Sequence, residues 1–171
     1  MIYLIVKYGD PVLEKKADTV QEFDTPELHK LLEDMFESMY AARGVGLAAP
    51  QIGIARRIAV IDISAGDDPS QKIVLINPEI LKNEGKETME EGCLSVPGFR
   101  EPVTRGSRVT VRAQNAKGET FEMTGADLLA RAFLHETDHL NGRLYLSHLS
   151  ALKRDLIRRR IRKLVKAGEW T

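Results

Sequence analysis

Residues Ala126-Asp127-Leu128-Leu129-Ala130-Arg131-Ala132-Phe133-Leu134-His135-Glu136-Thr137-Asp138-His139-Leu140-Asn141-Gly142 decide how this chain is read. The pattern is that of one largely apolar helix, and late in it sits an H-E-x-x-H box, His135-Glu136-Thr137-Asp138-His139. Positions i and i+4 of a helix lie one above the other on the same face, so both imidazoles can reach one metal ion. Glu136 follows about 100° round the helix, where it can reach a water at that ion without ligating. Two neutral nitrogen ligands and a carboxylate base are the minimum for metal-assisted hydrolysis. Two histidines at this spacing can also be ordinary core or surface residues. In an apolar helix, however, unpaired imidazoles and carboxylates are costly to bury, which favours the metal reading.

A catalytic metal needs a third protein ligand, and its identity decides the class. Metzincin proteases continue the box as HExxHxxGxxH; here the match runs to Gly142, and Tyr145 stands where the last histidine belongs. Gluzincins use a downstream glutamate, but the one glutamate after Glu136 is Glu169, near the chain end. His148 lies nine residues past His139, beyond the expected helix end, and is a further candidate. Upstream is Cys93, the sole cysteine, in Glu90-Glu91-Gly92-Cys93-Leu94-Ser95. A thiolate is a strong ligand for zinc or ferrous iron, although a lone cysteine is more often a small buried hydrophobe. Residue types alone leave the choice open.

A chain of 171 residues suits one domain, 1–171, with a real core. Hydrophobic residues make up 43% and charged residues 29%, and 25 acids balance 25 bases. That describes a globular protein, not a nucleic-acid binder by bulk charge. One cysteine cannot close an intramolecular disulfide, which points to a reducing compartment. No apolar run approaches the ~20 residues that span a bilayer. Met1-Ile2-Tyr3-Leu4-Ile5-Val6-Lys7 has neither a basic leader nor a cleavage site, so a cytoplasmic location is expected.

Residues 2–7 read as a short strand or extended arm. Asp10-Pro11 supplies an N-cap followed by proline at the first helical position, and Thr25-Pro26 repeats the device. The second opens a helix whose apolar positions Leu28, Leu31, Leu32, Met35, Phe36, Met39 and Tyr40 recur at three and four, with Gly44 as its terminator after Arg43. The stretch Gly44 to Gly53 is neither a strong helix nor a clean strand, and its small residues predict a backbone that something approaches closely. It lacks the lysine and the strand–helix setting of a phosphate-binding loop. Gln51 within it is either a satisfied core amide or a pre-positioned donor.

Residues 58–63, 72–77 and 79–82 read as strands, the last two broken at Asn77-Pro78; Val96-Pro97-Gly98 reads as a turn, and 107–114 with 120–124 as a hairpin. Strands without intervening helices imply antiparallel sheet. The class is therefore α+β, with antiparallel sheets packed around a central helix carrying the box, an N-terminal helix and a C-terminal one. The C-terminal helix, 151–166, carries Leu152, Leu156, Ile157, Ile161, Leu164 and Val165 on one side and eight bases against one acid, Asp155, on the other. Such a basic face is usually just solvated, but it can also dock on RNA or another acidic surface.

Three separated motifs coincide in this order: Gly44-Val45-Gly46-Leu47-Ala48-Ala49-Pro50-Gln51, Glu91-Gly92-Cys93-Leu94-Ser95 and His135-Glu136-Thr137-Asp138-His139. Together they resemble peptide deformylase, the family that removes the N-formyl group from the initiator methionine of new bacterial proteins, over nearly the whole chain. The resemblance implies that Cys93, His135 and His139 hold one divalent metal per chain, ferrous iron (Fe2+) in the cell with zinc (Zn2+), nickel (Ni2+) or cobalt (Co2+) as substitutes, with water in the fourth position. It implies that Glu136 takes a proton from that water and passes it to the departing amine, releasing formate. The Gln51 amide and the Leu94 backbone N–H would stabilise the oxyanion. The peptide would lie extended along Gly44, Val45 and Gly46. Val45, Met89, Glu91, Leu128, Arg131, Ala132 and His135 match positions round the methionine side chain, and Arg100 matches one that contacts the peptide.

A formamide bears only hydrogen on its carbonyl carbon, so a tight site can admit it and exclude bulkier acyl groups. Leu134 stands where glutamine often precedes the box, a packing difference. Arg131 puts a charge at a position that is aliphatic in some relatives; its stem is expected to line the pocket while its head reaches solvent. The implied partners are formyl-methionyl N-termini of nascent peptides and, through the basic helix, the ribosome surface. No membrane and no sequence-specific nucleic acid are expected, and the chain is expected to be a monomer. The enzymatic rival is a zinc endopeptidase with another third ligand, in which Cys93→Ser keeps its metal. The non-enzymatic rival, a degenerate relative that only binds, sits poorly with intact Cys93, His135, Glu136, His139 and Gln51.

Overall fold

Proline-capped turns open the chain in the computed structural model, which describes residues 1–170. Residues 2–7 run as an extended arm, with Val6 N donating to Gln51 O at 2.8 Å. A 3-10 turn at Pro11–Glu14 follows, its first amide capped by Asp10. Helix α1 (Pro26–Ala41) is capped by Thr25, whose hydroxyl accepts from Leu28 N at 3.1 Å. Its end differs from the sequence expectation. Arg43, not Gly44, takes the left-handed conformation at φ 59°, and the Gly44 amide closes the helix on Met39 O. Gly44 is needed for space instead: a Cβ there would sit 2.8 Å from Leu94 Cδ1.

Next come β1 (Gly46–Ala48), β2 (Ile58–Ile61), β3 (Ile73–Glu84), β4 (Glu87–Cys93), β5 (Val96–Arg105), β6 (Arg108–Gln114) and β7 (Thr120–Ala126). Every pairing between them is antiparallel; β1-β2-β3-β6-β7 form one sheet and β4-β5 a separate ribbon. Asn77-Pro78 does not break a strand. β3 runs through it as a bulge, with Asn77 at φ 52° and the register shifting between Ile76 and Glu79. A bulge tolerates the missing N–H of Pro78. The Asn77 side chain bonds both Val20 N and Val20 O at 2.9 Å, tying the N-terminal segment to the irregularity. Val96-Pro97-Gly98 does not turn the chain either; the tight turn is Leu94-Ser95, and Val96 opens β5.

The continuous apolar run of β2 explains the layers. Ile58 and Val60 pack with Leu28, Leu32 and Met35 of α1, whereas Ala59 and Ile61 pack with Ala130 and Phe133 of helix α2 (Asp127–Leu140). Strand side chains alternate between faces, so a strand covered on both reads as unbroken hydrophobicity. The sheet is thus held between two helices, and α2 carries the box in its buried second half. Burying Phe133 completely contributes about 2–3 kcal/mol by area.

A third cluster joins the β4-β5 ribbon to helix α3 (Ala151–Lys166) through Val96, Val103, Tyr145, Leu149, Ile157 and Ile161. Only Ile157 and Ile161 of the expected apolar side are buried; Leu164 is half-buried, and Leu152, Leu156 and Val165 remain exposed. The seam is narrower than the residue pattern suggests, because α3 meets the ribbon along a single ridge of i and i+4 positions. Among the described residues no helix is long and apolar enough to cross a membrane.

Candidate metal centre and its cavity

Two periodicities bring the donors together. On α2, Arg131, His135 and His139 fall at i, i+4 and i+8 and share one face. On β4, Glu91 and Cys93 are two apart and share one face of the strand. The two rows meet. Cys93 Sγ lies 3.3 Å from His139 Nε2, and His139 Nε2 lies 3.1 Å from His135 Nε2. The three ligand atoms are all within 4.8 Å of one another. A tetrahedral ion with ordinary metal–nitrogen and metal–sulfur lengths holds such donors about 3.3–3.6 Å apart, so the set fits one divalent ion. His148 is engaged elsewhere, 2.9 Å from Asp138 Oδ2, and Tyr145 lies with its ring roughly parallel to that of His135.

Glu91 is the hub behind the donors. Arg105 Nε and Nη2 donate to its two oxygens at 2.8 and 2.7 Å, Arg131 Nη1 donates to Oε1 at 2.8 Å, and His135 Nδ1 sits 2.7 Å from Oε2. Burial pushes the carboxyl up, but the hydrogen bonds and charges of Arg105 and His135 outweigh it and hold Glu91 well below the usual carboxylate range. A carboxylate on the far nitrogen of a ligating imidazole fixes its tautomer and orientation. Arg105 continues to Asp138 Oδ2 at 2.9 Å. Sequence reading missed Arg105 and Asp138. A signal existed: Val103 and Arg105 alternate inward on β5, and an inward arginine requires a buried acid.

Arg131 also departs from expectation. It is 5% exposed, and its head does not reach solvent. Beyond Glu91 it donates to Val103 O at 2.9 Å and to Glu87 O at 2.8 Å.

A cavity of about 640 Å³ opens beside the donors. Of the residues expected at the substrate, Gly44, Val45, Gly46, Glu91, Arg100, Leu128, Arg131 and Ala132 line it, as do Gln51, Leu94 and Glu136; Met89 does not. Gly46 has a reason beyond substrate. A Cβ there would sit 2.4 Å from Glu136 Oε2, so the absent side chain leaves room for that carboxylate. Glu136 is buried with Oε1 lacking a protein partner. Burial pushes it up to about 7, against the pull of the His135 charge. A cation at the neighbouring donors would lower it. Gln51, also buried, accepts from Ala48 N at 3.0 Å through Oε1, which fixes the amide orientation. Its Nε2 faces Ser95 Oγ at 3.2 Å and Cys93 Sγ at 3.6 Å. It is a satisfied core amide whose donors border the site.

A family model described as polypeptide deformylase matches residues 2–155. A peptide deformylase from Acidobacterium capsulatum is 61% identical over 170 residues, covering 99% of each chain. One from Clostridium botulinum is 56% identical over 142 residues, covering 83% of this chain and 92% of that one. A crystal structure of a peptide deformylase from Legionella pneumophila superposes with TM-score 0.91 at 46% identity, covering 100% of this chain and 99% of that one.

Proposed function

Because the chain belongs to the peptide deformylase family, hydrolases that remove the N-formyl group from nascent peptides, we propose that its chemistry takes place at Cys93, His135 and His139 with Glu136 as the base. The observation that carries this is the convergence of one thiol and two imidazoles beside buried Glu136 and Gln51 at the edge of one cavity. Two nitrogens and a thiolate suit ferrous iron or zinc. We assign ferrous iron in the cell, with zinc, nickel or cobalt able to replace it. When bound, the ion supplies Lewis acidity and lowers the pKa of a coordinated water.

The chain's own residues do the rest. Glu136 accepts a proton from the attacking water and returns it to the leaving amine. Gln51 Nε2 exchanges its long contact with Cys93 for the developing oxyanion, and the Leu94 N–H is the second donor, each contributing about 3 kcal/mol when well aimed. β1 is an edge strand of its sheet, which supports a peptide adding alongside Gly44, Val45 and Gly46. The methionine side chain then meets Leu128, Ala132 and the stem of Arg131, with exposed Arg100 at the mouth. Glu136 packed on Gly46 leaves little room at the carbonyl carbon, which admits hydrogen and disfavours larger acyl groups. The whole chain acts as one catalytic domain, a cytoplasmic monomer that meets nascent chains with the basic face of α3 toward the ribosome.

The test is formate release from a formyl-methionyl peptide by protein prepared anaerobically with ferrous iron. Release by the parent and its loss in Glu136→Gln support the assignment. A folded, metal-loaded parent that releases no formate overturns it.

A further inference from the structure

We propose that Arg131 is a positioning residue: it locks the ribbon bearing Cys93 to the helix bearing His135 and His139, and thereby sets how tightly the site holds its metal. The inference rests on the ligand assignment above. The three donors come from two elements that no covalent link or shared sheet holds in register. Arg131 sits one helical turn before His135, and its guanidinium makes three bonds across the gap: to Glu91 Oε1, to Glu87 O on β4 and to Val103 O on β5. One planar group therefore grips both strands of the ribbon and the carboxylate that orients His135 Nδ1.

Arg105 cannot replace it. Arg105 belongs to the ribbon itself: it braces Glu91 from within the ribbon and reaches α2 directly at Asp138, beside His139, whereas Arg131 crosses from α2 to the ribbon one turn before His135. Nor does Arg131 serve as a charged contact for peptide, since its head is buried and both terminal nitrogens are engaged by these partners. A lysine would keep the charge, but a single ammonium on its stem does not reproduce the fork that spans two carbonyls and a carboxylate.

The experiment compares parent, Arg131→Met and Arg131→Lys by zinc competition against a chromophoric chelator, by the absorption of the cobalt-loaded proteins, and by melting with and without metal. Metal affinity should fall about 10–100-fold in both, the range for losing a group that orients a ligand. The cobalt bands should broaden or shift. Zinc affinity equal to that of the parent in either variant overturns the proposal. So does an equal fall in melting temperature with and without metal at unchanged affinity, which would make Arg131 structural only. Chelator competition needs no formylated substrate, so this failure is distinct from failure of the catalytic reading.

Discussion

Replacing Gly46 with alanine probes the site at its tightest contact. Gly46 is not glycine for backbone reasons: it lies in β1, and its φ is not among the positive ones. Alanine is conformationally admissible there, so the effect is one of space. The new Cβ would stand 2.4 Å from Glu136 Oε2, 2.9 Å from Cδ and 3.2 Å from Cγ. Restoring ordinary contact, which begins near 3.4 Å, moves the carboxylate by about 1 Å. A misplacement of that size costs a catalytic group on the order of 100-fold, or about 2.7 kcal/mol in the barrier. The three atoms nearest the new Cβ all belong to Glu136 and none is a metal donor, so metal content should be unchanged. Gly44→Ala is the control. Its one tight contact is with the far end of Leu94, which can turn aside, and the Gly46 O stands at an ordinary 3.5 Å, so its loss should be smaller. The assay is kcat/KM for formate release at matched metal occupancy. Gly46→Ala within about threefold of the parent would refute the claim that the glycine makes room for the base.

Cys93→Ser should leave the protein folded but without stoichiometric metal after gel filtration, measured by atomic emission; retained metal would restore another third ligand. Tyr40→Phe should cost about 1–2 kcal/mol in urea unfolding at neutral pH, because Asp62, buried, loses one of its donors. Burial and the Asp62 contact push Tyr40 from 10.0 up to about 12, so the folded state holds that proton more tightly than the unfolded chain. Its contribution is complete below pH 10.0 and is lost as pH rises through about 12; a parent–variant difference constant across that window would exclude the phenol as its source. Replacing Arg158, Arg159 and Arg160 with glutamate should weaken co-sedimentation with ribosomes. Unchanged co-sedimentation would remove the docking role of α3.

The elements legible in the sequence are those whose stabilisation is local or periodic. α1 announces itself through Thr25-Pro26 and a three–four apolar repeat, and β2 through a run that both covering helices require. The β4-β5 ribbon is not legible as strands, because Glu87-Thr88-Met89-Glu90-Glu91-Gly92-Cys93 has no apolar alternation. Its inward residue in mid-strand is Glu91, buried by two guanidiniums in place of hydrocarbon. The continuity of β3 through Asn77-Pro78 is hidden for a similar reason. Proline argues against a strand, and the bonds to Val20 that stabilise the bulge lie 57 residues away in sequence.

The same division runs through the site. His135, Glu136 and His139 follow from spacing on one helix, whereas Cys93 competed with His148 until long-range packing brought ribbon and helix together. Charge carries the reasoning one step further. Around the donors lie the carboxylates of Glu91, Asp138 and Glu136 against the guanidiniums of Arg105 and Arg131, and a cysteine that ligates a metal does so as its thiolate. That leaves an excess of two negative charges with both imidazoles neutral, which is the charge a divalent cation supplies. A buried arginine at position 131 thus belongs to a set whose charges the divalent ion balances, and its part in that set is the geometry of its fork as well as its charge.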